Sequence, residues 1–246
     1  MCGIVGFVDF KNNLSNKENI LKSMMSSIHY RGPDSCGHWH DLDSGLSLGH
    51  VRLSIIDVSN GGHQPMHSKS GRYTISYNGE IYNFKKLKKE LEEMGMHFVS
   101  SSDTEVLLSS FEQWGIDLAL KKIEGMFSIS LFDKENKNLY LIRDRIGEKP
   151  LYYGFENNIF FFGSEIHSFY KIPQFKKKIS NNSINTFLHY GHFLKENSIF
   201  EKIKKIHPGS YIKINLNKYY KESHETIFYW KLTSNKKGPT KMQKIV

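Results

Sequence analysis

The chain has 246 residues, of which 39% are hydrophobic and 13% aromatic, and it carries a formal net charge of +9 at pH 7. This length and composition indicate one large folded domain, or one domain and a connector, and they exclude disorder as the default. The charge does not indicate nucleic-acid binding, because only 5 of the 34 basic residues are arginines and the lysine-rich runs at 85–89, 176–178 and 202–205 resemble solvated faces.

The first half of the chain mixes predicted strands and helices. Residues 2–10 are mostly small or apolar and predict a buried strand, and the next helix is expected to follow Ser15 or Asn16 as its N-cap. The Arg31-Gly32-Pro33-Asp34 segment predicts a turn. The other predictions here are a helix over 17–29, strands over 45–56 and 72–77, a loop over 57–66, and helices over 83–95 and 103–114.

Short strands dominate the second half. Each apolar run there is bounded by turn-forming or charged residues, which favours antiparallel pairing. Because the strands are grouped with helices outside them, we expect an α+β layered domain rather than a βαβ repeat. The strands are predicted over 126–133, 138–143, 151–155, 159–163 and 210–215, and helical segments over 164–170 and 181–190.

The tail and the cysteines bear on organisation and compartment. The Lys-, Ser- and Gly-rich tail predicts a linker over 229–246 after a domain over 2–228. Cys2 and Cys36 are too few for a disulfide framework, the N-terminus does not resemble a signal peptide, and no apolar run approaches the ~18 residues of a membrane span. We therefore expect a cytoplasmic protein without membrane contact, in which Cys2 stays a thiol.

The second residue carries the strongest chemical signal. Once Met1 is removed, Cys2 carries both a thiol and a free α-amine. An amine with a reference pKa of about 7.7 to 8.0 can act as general base for the thiol beside it. A cysteine in an apolar strand is more commonly a small buried hydrophobic residue. Cys2 alone therefore predicts little.

A thiol that attacks an amide also needs donors for the developing oxyanion. Asn78, Gly79 and Glu80 follow the strand predicted over 72–77. A side-chain amide and a glycine N–H there would form such a pair of donors. The alternative is an ordinary tight turn, since Asn-Gly is a common turn dipeptide.

Two charged residues offer means to orient a substrate. Arg52 interrupts an apolar run, and a buried arginine needs a carboxylate partner, which Asp57 or Asp34 would supply in a structural salt bridge. Asp103 begins a predicted helix, where an aspartate taken alone is best explained as an N-cap.

Short motifs recur along the chain in a characteristic order. They are CGIVG at 2–6, RGPD at 31–34, RLSIID at 52–57, QPM at 64–66, YNGEIYN at 77–83, SDTE at 102–105, GMF at 125–127, RDRIGEKPLYY at 143–153, GSE at 163–165 and PGSY at 208–211. In this order the motifs resemble the glutamine amidotransferase domain of the asparagine synthetase B family, and they cover the chain to about Trp230. The motifs at 77–83 and 149–153 are closer to asparagine synthetases than to phosphosugar or purine amidotransferases.

The resemblance implies an N-terminal nucleophile hydrolase fold, with two packed antiparallel sheets and helices outside them in four layers. It also implies that Cys2 attacks the side-chain amide of L-glutamine, with its own α-amine as base. Asn78 and the Gly79 N–H would hold the oxyanion. Ammonia would leave first, and water would then release glutamate from the thioester.

The family's substrate contacts also map onto this sequence. By resemblance, Arg52 would bind the α-carboxylate of glutamine, and Glu80 and Asp103 would bind its α-ammonium. Ile55 and Gly79 would add main-chain contacts. A free amino acid requires both a cation and carboxylates in the pocket, which distinguishes this site from that of another amide hydrolase of the same class.

The ATP-binding part of the family has no counterpart in this sequence. Asparagine synthetases continue into a domain with a Ser-Gly-Gly-x-Asp-Ser loop that binds ATP, and this loop does not occur here. We therefore expect no cofactor in this chain, with ATP and Mg acting in a synthetase domain or partner subunit that receives the ammonia. Nucleic acid and membranes are not expected as partners, and a homodimer is left open.

Three interpretations of the chain stay open at this stage. A truncated or split synthetase is favoured, because residues 206–209 and 229–230 resemble the family's approach to its second domain. The others are a stand-alone amidotransferase subunit for another acceptor, such as a surface sugar, and a non-catalytic module that binds glutamine without turnover.

Overall fold

The computed structural model describes residues 1–173, 175–218 and 224–232. The predicted linker beyond Leu232 lies outside the described residues. In the described chain, twelve strands form two six-stranded antiparallel sheets. The strands are β1 (Gly3–Asp9), β2 (Ser35–Asp41), β3 (Leu46–Arg52), β4 (Met66–His67), β5 (Tyr73–Ile81), β6 (Gly125–Asp133), β7 (Asn138–Arg143), β8 (Tyr152–Glu156), β9 (Ile159–Gly163), β10 (Ile203–Lys205), β11 (Ser210–Asn215) and β12 (Glu225–Phe228).

Helices precede or connect the strands. The first begins at its predicted cap, where the Asn16 side chain accepts a hydrogen bond from the Asn19 N–H at 3.3 Å. The α-helices are α1 (Lys17–Ser27), α2 (Phe84–Glu93), α3 (Asp103–Lys122) and α4 (Asn181–Tyr190), and short 3₁₀ helices occupy His29–Arg31, Asn60–Gly62 and Ile166–Lys171.

The strand order places the N-terminal strand in the middle of one sheet. The first sheet has the order β10, β8, β9, β1, β3, β2, and the second has the order β12, β11, β7, β6, β5, β4. The N-terminal strand β1 is therefore central, with β9 and β3 hydrogen-bonded on its two sides. This position fixes the start of β1, directly after Cys2, inside the body of the protein.

Apolar side chains fill the space between the sheets. Ile4 on β1 belongs to this inter-sheet core together with Phe132 on β6 and Leu141 on β7. Val5 and Phe7 point to the other face of β1 and pack in a separate cluster with α1. Because neighbouring residues of a strand face opposite sides, burial on both faces explains the continuous run of small and apolar residues over 3–8.

The second sheet is covered in the same way on its outer face. Leu87 and Leu91 of α2 and Phe111 of α3 pack against Ile75 of β5 and Ile129 of β6. The resulting order is helix, sheet, sheet, helix. This confirms the expected α+β fold with two packed antiparallel sheets.

The strand predicted over 72–77 continues through the Asn-Gly dipeptide. β5 reaches Ile81, and Gly79 pairs with Phe127 of β6. A Cβ at position 79 would lie 2.2 Å from the Met126 carbonyl oxygen, so a glycine is required for this close approach of the two strands. The tight-turn alternative for Asn78 and Gly79 is therefore wrong.

Two boundaries and one further strand also differ from the predictions. β3 ends at Arg52 rather than at residue 56. α3 extends to Lys122, beyond the predicted end at 114, although it is kinked at Gly115, where φ is 71°. β2 was not predicted, because a polar edge strand has no continuous or alternating apolar pattern and gains its order from pairing with β3.

Candidate active site

The seven residues singled out in the sequence all line one pocket. The pocket lies where β1 begins, where β3 and β5 end, and where α3 begins. Folding thus brings together residues that are up to a hundred positions apart in the chain. The seven are Cys2, Arg52, Ile55, Asn78, Gly79, Glu80 and Asp103.

The Cys2 thiol contacts the first peptide after β3. The Leu53 N–H donates to Sγ at 3.3 Å, and the thiol donates to the Leu53 carbonyl oxygen at 3.4 Å. Burial raises the pKa of the Cys2 thiol, while the Leu53 N–H and the positive charges of the N-terminus and Arg52 act in the opposite direction. A nearby base is therefore needed to form the thiolate at neutral pH.

Two side chains hold the backbone around this thiol. Arg31 donates from Nε to the carbonyl oxygen of Cys2 at 3.1 Å, and its NH1 forms an ion pair with Glu165 at 2.5 Å. The Ile4 N–H donates to Ser164 Oγ at 3.1 Å, and the Ser164 N–H donates to the Ile4 carbonyl oxygen at 2.9 Å. The start of β1 is therefore fixed from two directions.

Asn78 lines the pocket and carries an unsatisfied hydrogen-bond donor. Its side chain is 1% exposed, and its Nδ2 is buried without a hydrogen-bond partner among the described residues. Buried amides in folded proteins nearly always have partners, whereas this donor is left unsatisfied by the described residues. Gly79 follows it in the strand and also lines the pocket.

Arg52 is buried, and its guanidinium donates to main-chain carbonyl oxygens. Its NH1 donates to the Ser59 carbonyl oxygen at 2.7 Å, and NH2 donates to the carbonyl oxygen of Asp57. Within the described residues no carboxylate oxygen lies within 4.0 Å of its guanidinium. The carboxylates of Asp57 and Asp34 instead accept from serine and backbone groups, so the structural salt bridge considered for Arg52 does not form.

Asp103 turns into the pocket instead of capping its helix. Ser102 is the N-cap of α3, and Asp103 Oδ2 accepts from the Tyr77 hydroxyl at 2.8 Å and the Ile81 N–H at 3.0 Å. Burial raises the pKa of the Asp103 carboxyl, these two hydrogen bonds oppose it, and the neighbouring Glu80 charge adds to the increase. The N-cap interpretation of Asp103 is therefore wrong.

Comparison with known proteins decides the family. A model of the glutamine amidotransferase domain matches residues 1–229. The chain belongs to the glutamine amidotransferase domain family. The resemblance seen in the motifs is thereby confirmed.

The curated relatives of this amidotransferase domain are longer proteins. It is 35% identical to glutamine-hydrolyzing asparagine synthetase 3 of Bacillus subtilis (strain 168) over 239 residues, which cover 96% of this chain and 38% of the relative. It is 38% identical to asparagine synthetase 1 of the same organism, covering 85% of this chain and 33% of the relative. A putative asparagine synthetase of Methanocaldococcus jannaschii is 31% identical and is covered over 48% of its length. The chain thus spans a third to a half of these relatives.

Solved structures support the fold. The glutamine phosphoribosylpyrophosphate amidotransferase of B. subtilis, in complex with ADP and GMP, superimposes with a TM-score of 0.68 at 18% identity. The match covers 93% of this chain and 49% of that protein. At this identity the likeness concerns the fold alone.

Tyr77 connects the two sheets behind the amidotransferase pocket, a role that was not assigned from the sequence. Its N–H donates to Gln64 Oε1 at 2.6 Å, and its carbonyl oxygen accepts from His50 Nε2 at 3.0 Å. Burial lowers the pKa of His50 to about 3, so the imidazole stays neutral. Together with the hydroxyl bond to Asp103, these contacts fix the residue that precedes Asn78. Tyr77 and Gln64 lie in recognised motifs, but a motif does not reveal which partners its side chains meet.

Metal binding has no support in the described parts of the amidotransferase domain. Among residues 1–173, 175–218 and 224–232, no group of three or more His, Cys, Asp and Glu side chains is placed to hold a metal ion. In the same residues, no helix is both long and apolar enough to cross a bilayer.

Proposed function

We propose that this chain hydrolyses L-glutamine to glutamate and ammonia through a thioester on Cys2. The observation that carries the proposal is the combination, in one pocket, of the Cys2 thiol, the unpartnered Asn78 amide and the Arg52 guanidinium without a carboxylate. Among the described residues, the Asn78 Nδ2 lacks any hydrogen-bond partner and the Arg52 guanidinium lacks a carboxylate, while the Cys2 thiol is held by the Leu53 peptide. The names of the curated relatives, which are glutamine-hydrolyzing synthetases, support the same reaction.

The reaction begins once Met1 has been removed. The neutral α-amine of Cys2 takes the thiol proton, and Sγ attacks the carbonyl carbon of the glutamine side chain. Asn78 Nδ2 and the Gly79 N–H donate to the oxyanion, which is more strongly negative than the carbonyl oxygen of the substrate. The amine then gives its proton to the leaving nitrogen, ammonia departs, and water attacks the thioester to release glutamate.

The charges at the other end of the pocket select the substrate. We assign Arg52 to the α-carboxylate of glutamine, and Glu80 and Asp103 to its α-ammonium. The main chain of Ile55 and Gly79 completes this set. Because both charged ends of the amino acid are bound, an amide without an α-amino acid group loses two charge-assisted contacts, each worth about 1.5 to 3 kcal/mol.

Ammonia released here is proposed to serve an ATP-dependent synthetase domain or subunit, with ATP and Mg acting there and not in this chain. The names of the relatives and the share of each that this chain covers support this assignment. We place the reaction in the cytoplasm, where a reducing environment preserves the thiol of Cys2.

The test is to incubate the mature protein with glutamine and to measure glutamate and ammonia, after intact mass has shown that Met1 is absent. Cys2→Ala is expected to abolish release. Cys36→Ser is the matched control, since it removes the other, exposed cysteine and is expected to leave release unchanged. Release that persists in Cys2→Ala would refute the nucleophile. Glutamine binding without release by the mature protein would favour the non-catalytic module.

A further inference from the structure

A buried lysine in the pocket has no role in the reaction as described so far. Lys149 is 4% exposed and lines the pocket together with Cys2 and Met1. Its Nζ donates to Met1 Sδ at 3.0 Å, and a thioether is a weak acceptor. Among the described residues no carboxylate oxygen lies within 4.0 Å of this ammonium. A buried lysine without an acidic partner is unusual.

The backbone of Lys149 is held firmly in this position. Its N–H donates to Asp144 Oδ2 at 2.9 Å, and its carbonyl oxygen accepts from Arg143 Nε at 2.8 Å. Asp144 is fully buried and also accepts from the backbone N–H groups of Gly147 and Phe127 at 2.6 and 3.3 Å. The loop that carries Lys149 is thus tied to β6, which borders the pocket, so its ammonium has a restricted range.

Removal of Met1 leaves Lys149 beside the new N-terminus. Five bonds separate Met1 Sδ from the Cys2 nitrogen, a span of at most about 6 Å, so the Lys149 ammonium lies within about 9 Å of the α-amine. Processing also removes the thioether that the ammonium contacts. A cation at this distance in a partly buried site opposes a second positive charge on the amine.

The pocket also holds the charged side chains of Arg52, Asp57, Glu80 and Asp103. Arg52 and Asp103 act on the thiol with opposite signs, and Glu80 faces Asp103. Under the proposed function, bound glutamine engages these three groups through its own charged ends. The Arg31 guanidinium, on the carbonyl of Cys2, is already paired with Glu165. Asp57 already accepts from the Ser59 and Ser101 hydroxyls. Of the two pocket cations, Lys149 is then the one that bound glutamine does not engage, and no carboxylate oxygen of the described residues lies within 4.0 Å of it.

We propose that Lys149 is a positioning residue of an electrostatic kind, which keeps the α-amine of Cys2 unprotonated near neutral pH so that the amine can act as base. This inference rests on the proposed glutaminase reaction. Lys149 touches no reacting atom and acts through its charge alone. We therefore expect a change of its charge to alter the pH dependence of the reaction without abolishing the chemical step.

The test compares Lys149→Met, which keeps the length and removes the charge, with Lys149→Arg, which keeps the charge, both in a Cys36→Ser background. The acidic limb of the pH profile of kcat/KM is expected to move up by roughly one pH unit in Lys149→Met, with full recovery at high pH. Lys149→Arg is expected to keep the acidic limb at the pH found for the parent. Lys86→Met, an exposed lysine of α2 outside the pocket, is the matched control and is expected to shift nothing.

A second readout does not need turnover. In the Cys36→Ser background, the rate of Cys2 alkylation by iodoacetamide is measured against pH, with mass spectrometry to confirm the site. A parallel change in this profile in Lys149→Met supports the proposal, and identical profiles in both Lys149 variants and the parent overturn it. If the parent alkylates normally but releases no glutamate, the proposed function fails while the charge effect of Lys149 is still decided. Lys149→Gln serves if Lys149→Met does not fold.

Discussion

Strand β5 has a paired polar side chain at its start and an unpaired polar side chain near its far end. At its start, Arg72 donates from Nε and NH2 to the two carboxylate oxygens of Asp133, at 3.2 and 2.8 Å. At its far end, Asn78 Nδ2 has no partner in the described part of the chain. Close to that end, Arg52 is buried with carbonyl oxygens, and no carboxylate of the described residues pairs with it. One strand thus carries two kinds of polar site.

We propose that this difference separates a structural polar group from a functional one. A buried donor without an acceptor costs about 1 to 3 kcal/mol, whereas a paired one is close to neutral or stabilising. The cost at the pocket end is balanced by the rest of the fold and is recovered when a ligand supplies the missing partner. We therefore expect substitutions at the two ends to move different observables.

The largest expected effect is at the unpaired amide. Asn78→Ala removes the proposed oxyanion donor, so kcat is expected to fall about 100- to 1,000-fold with little change in KM. Stability to urea is expected to stay the same or to increase, because an unsatisfied buried amide is removed. A fall in stability with unchanged kcat would instead assign Asn78 to the paired, structural class.

The two arginines near the two ends of β5 allow the same substitution to be compared in both places. Arg52→Lys retains the charge but loses the planar fork, so kcat/KM for glutamine is expected to fall about 10- to 100-fold, mainly through KM. The matched substitution Arg72→Lys breaks the bidentate contact with Asp133. It is expected to lower the free energy of unfolding by about 1 kcal/mol and to leave kcat/KM within twofold. Similar losses of activity in both variants would contradict the distinction.

The smallest expected effects are pH-dependent and have opposite signs at two aspartates. Hydrogen bonds and the charge of Arg72 lower the pKa of Asp133, although burial opposes them. Its contribution to stability is present above its unfolded pKa of about 4 and is lost below it. Burial raises the pKa of Asp103, so stability there is lost as pH rises from about 4 toward the folded pKa.

Accordingly, Asp133→Asn is expected to lower the free energy of unfolding at pH 7, and Asp103→Asn to raise it, each by on the order of 1 kcal/mol. Asp103→Asn is also expected to raise KM for glutamine. Urea denaturation between pH 3.5 and 8, without substrate, measures both variants. A destabilising Asp103→Asn at pH 7 would show that the carboxylate is held as a structural group.

The apolar pattern predicted much of the fold because its signal is local. β7, β9, β11 and α4 have the predicted bounds, since each is delimited by turn-forming or capping residues next to it in the chain. The continuation of β5 through Gly79 was missed because it depends on the approach of β6. The extension of α3 past Gly115 was missed because a glycine normally ends a helical prediction.

Motif order identified the family and placed seven residues that the fold brings into one pocket. What the motifs did not settle is pairing. Whether the Arg52 guanidinium pairs with the Asp57 carboxylate depends on how loops from separate parts of the chain pack together. The burial of Lys149 depends on the hydrogen bonds by which Asp144 holds its loop. The sequence by itself determined which chemical groups this protein contains. It also determined the apolar periodicity that defines the individual strands and helices. Only the tertiary structure decided which of those groups are satisfied, because pairing and burial arise from contacts between residues far apart in sequence.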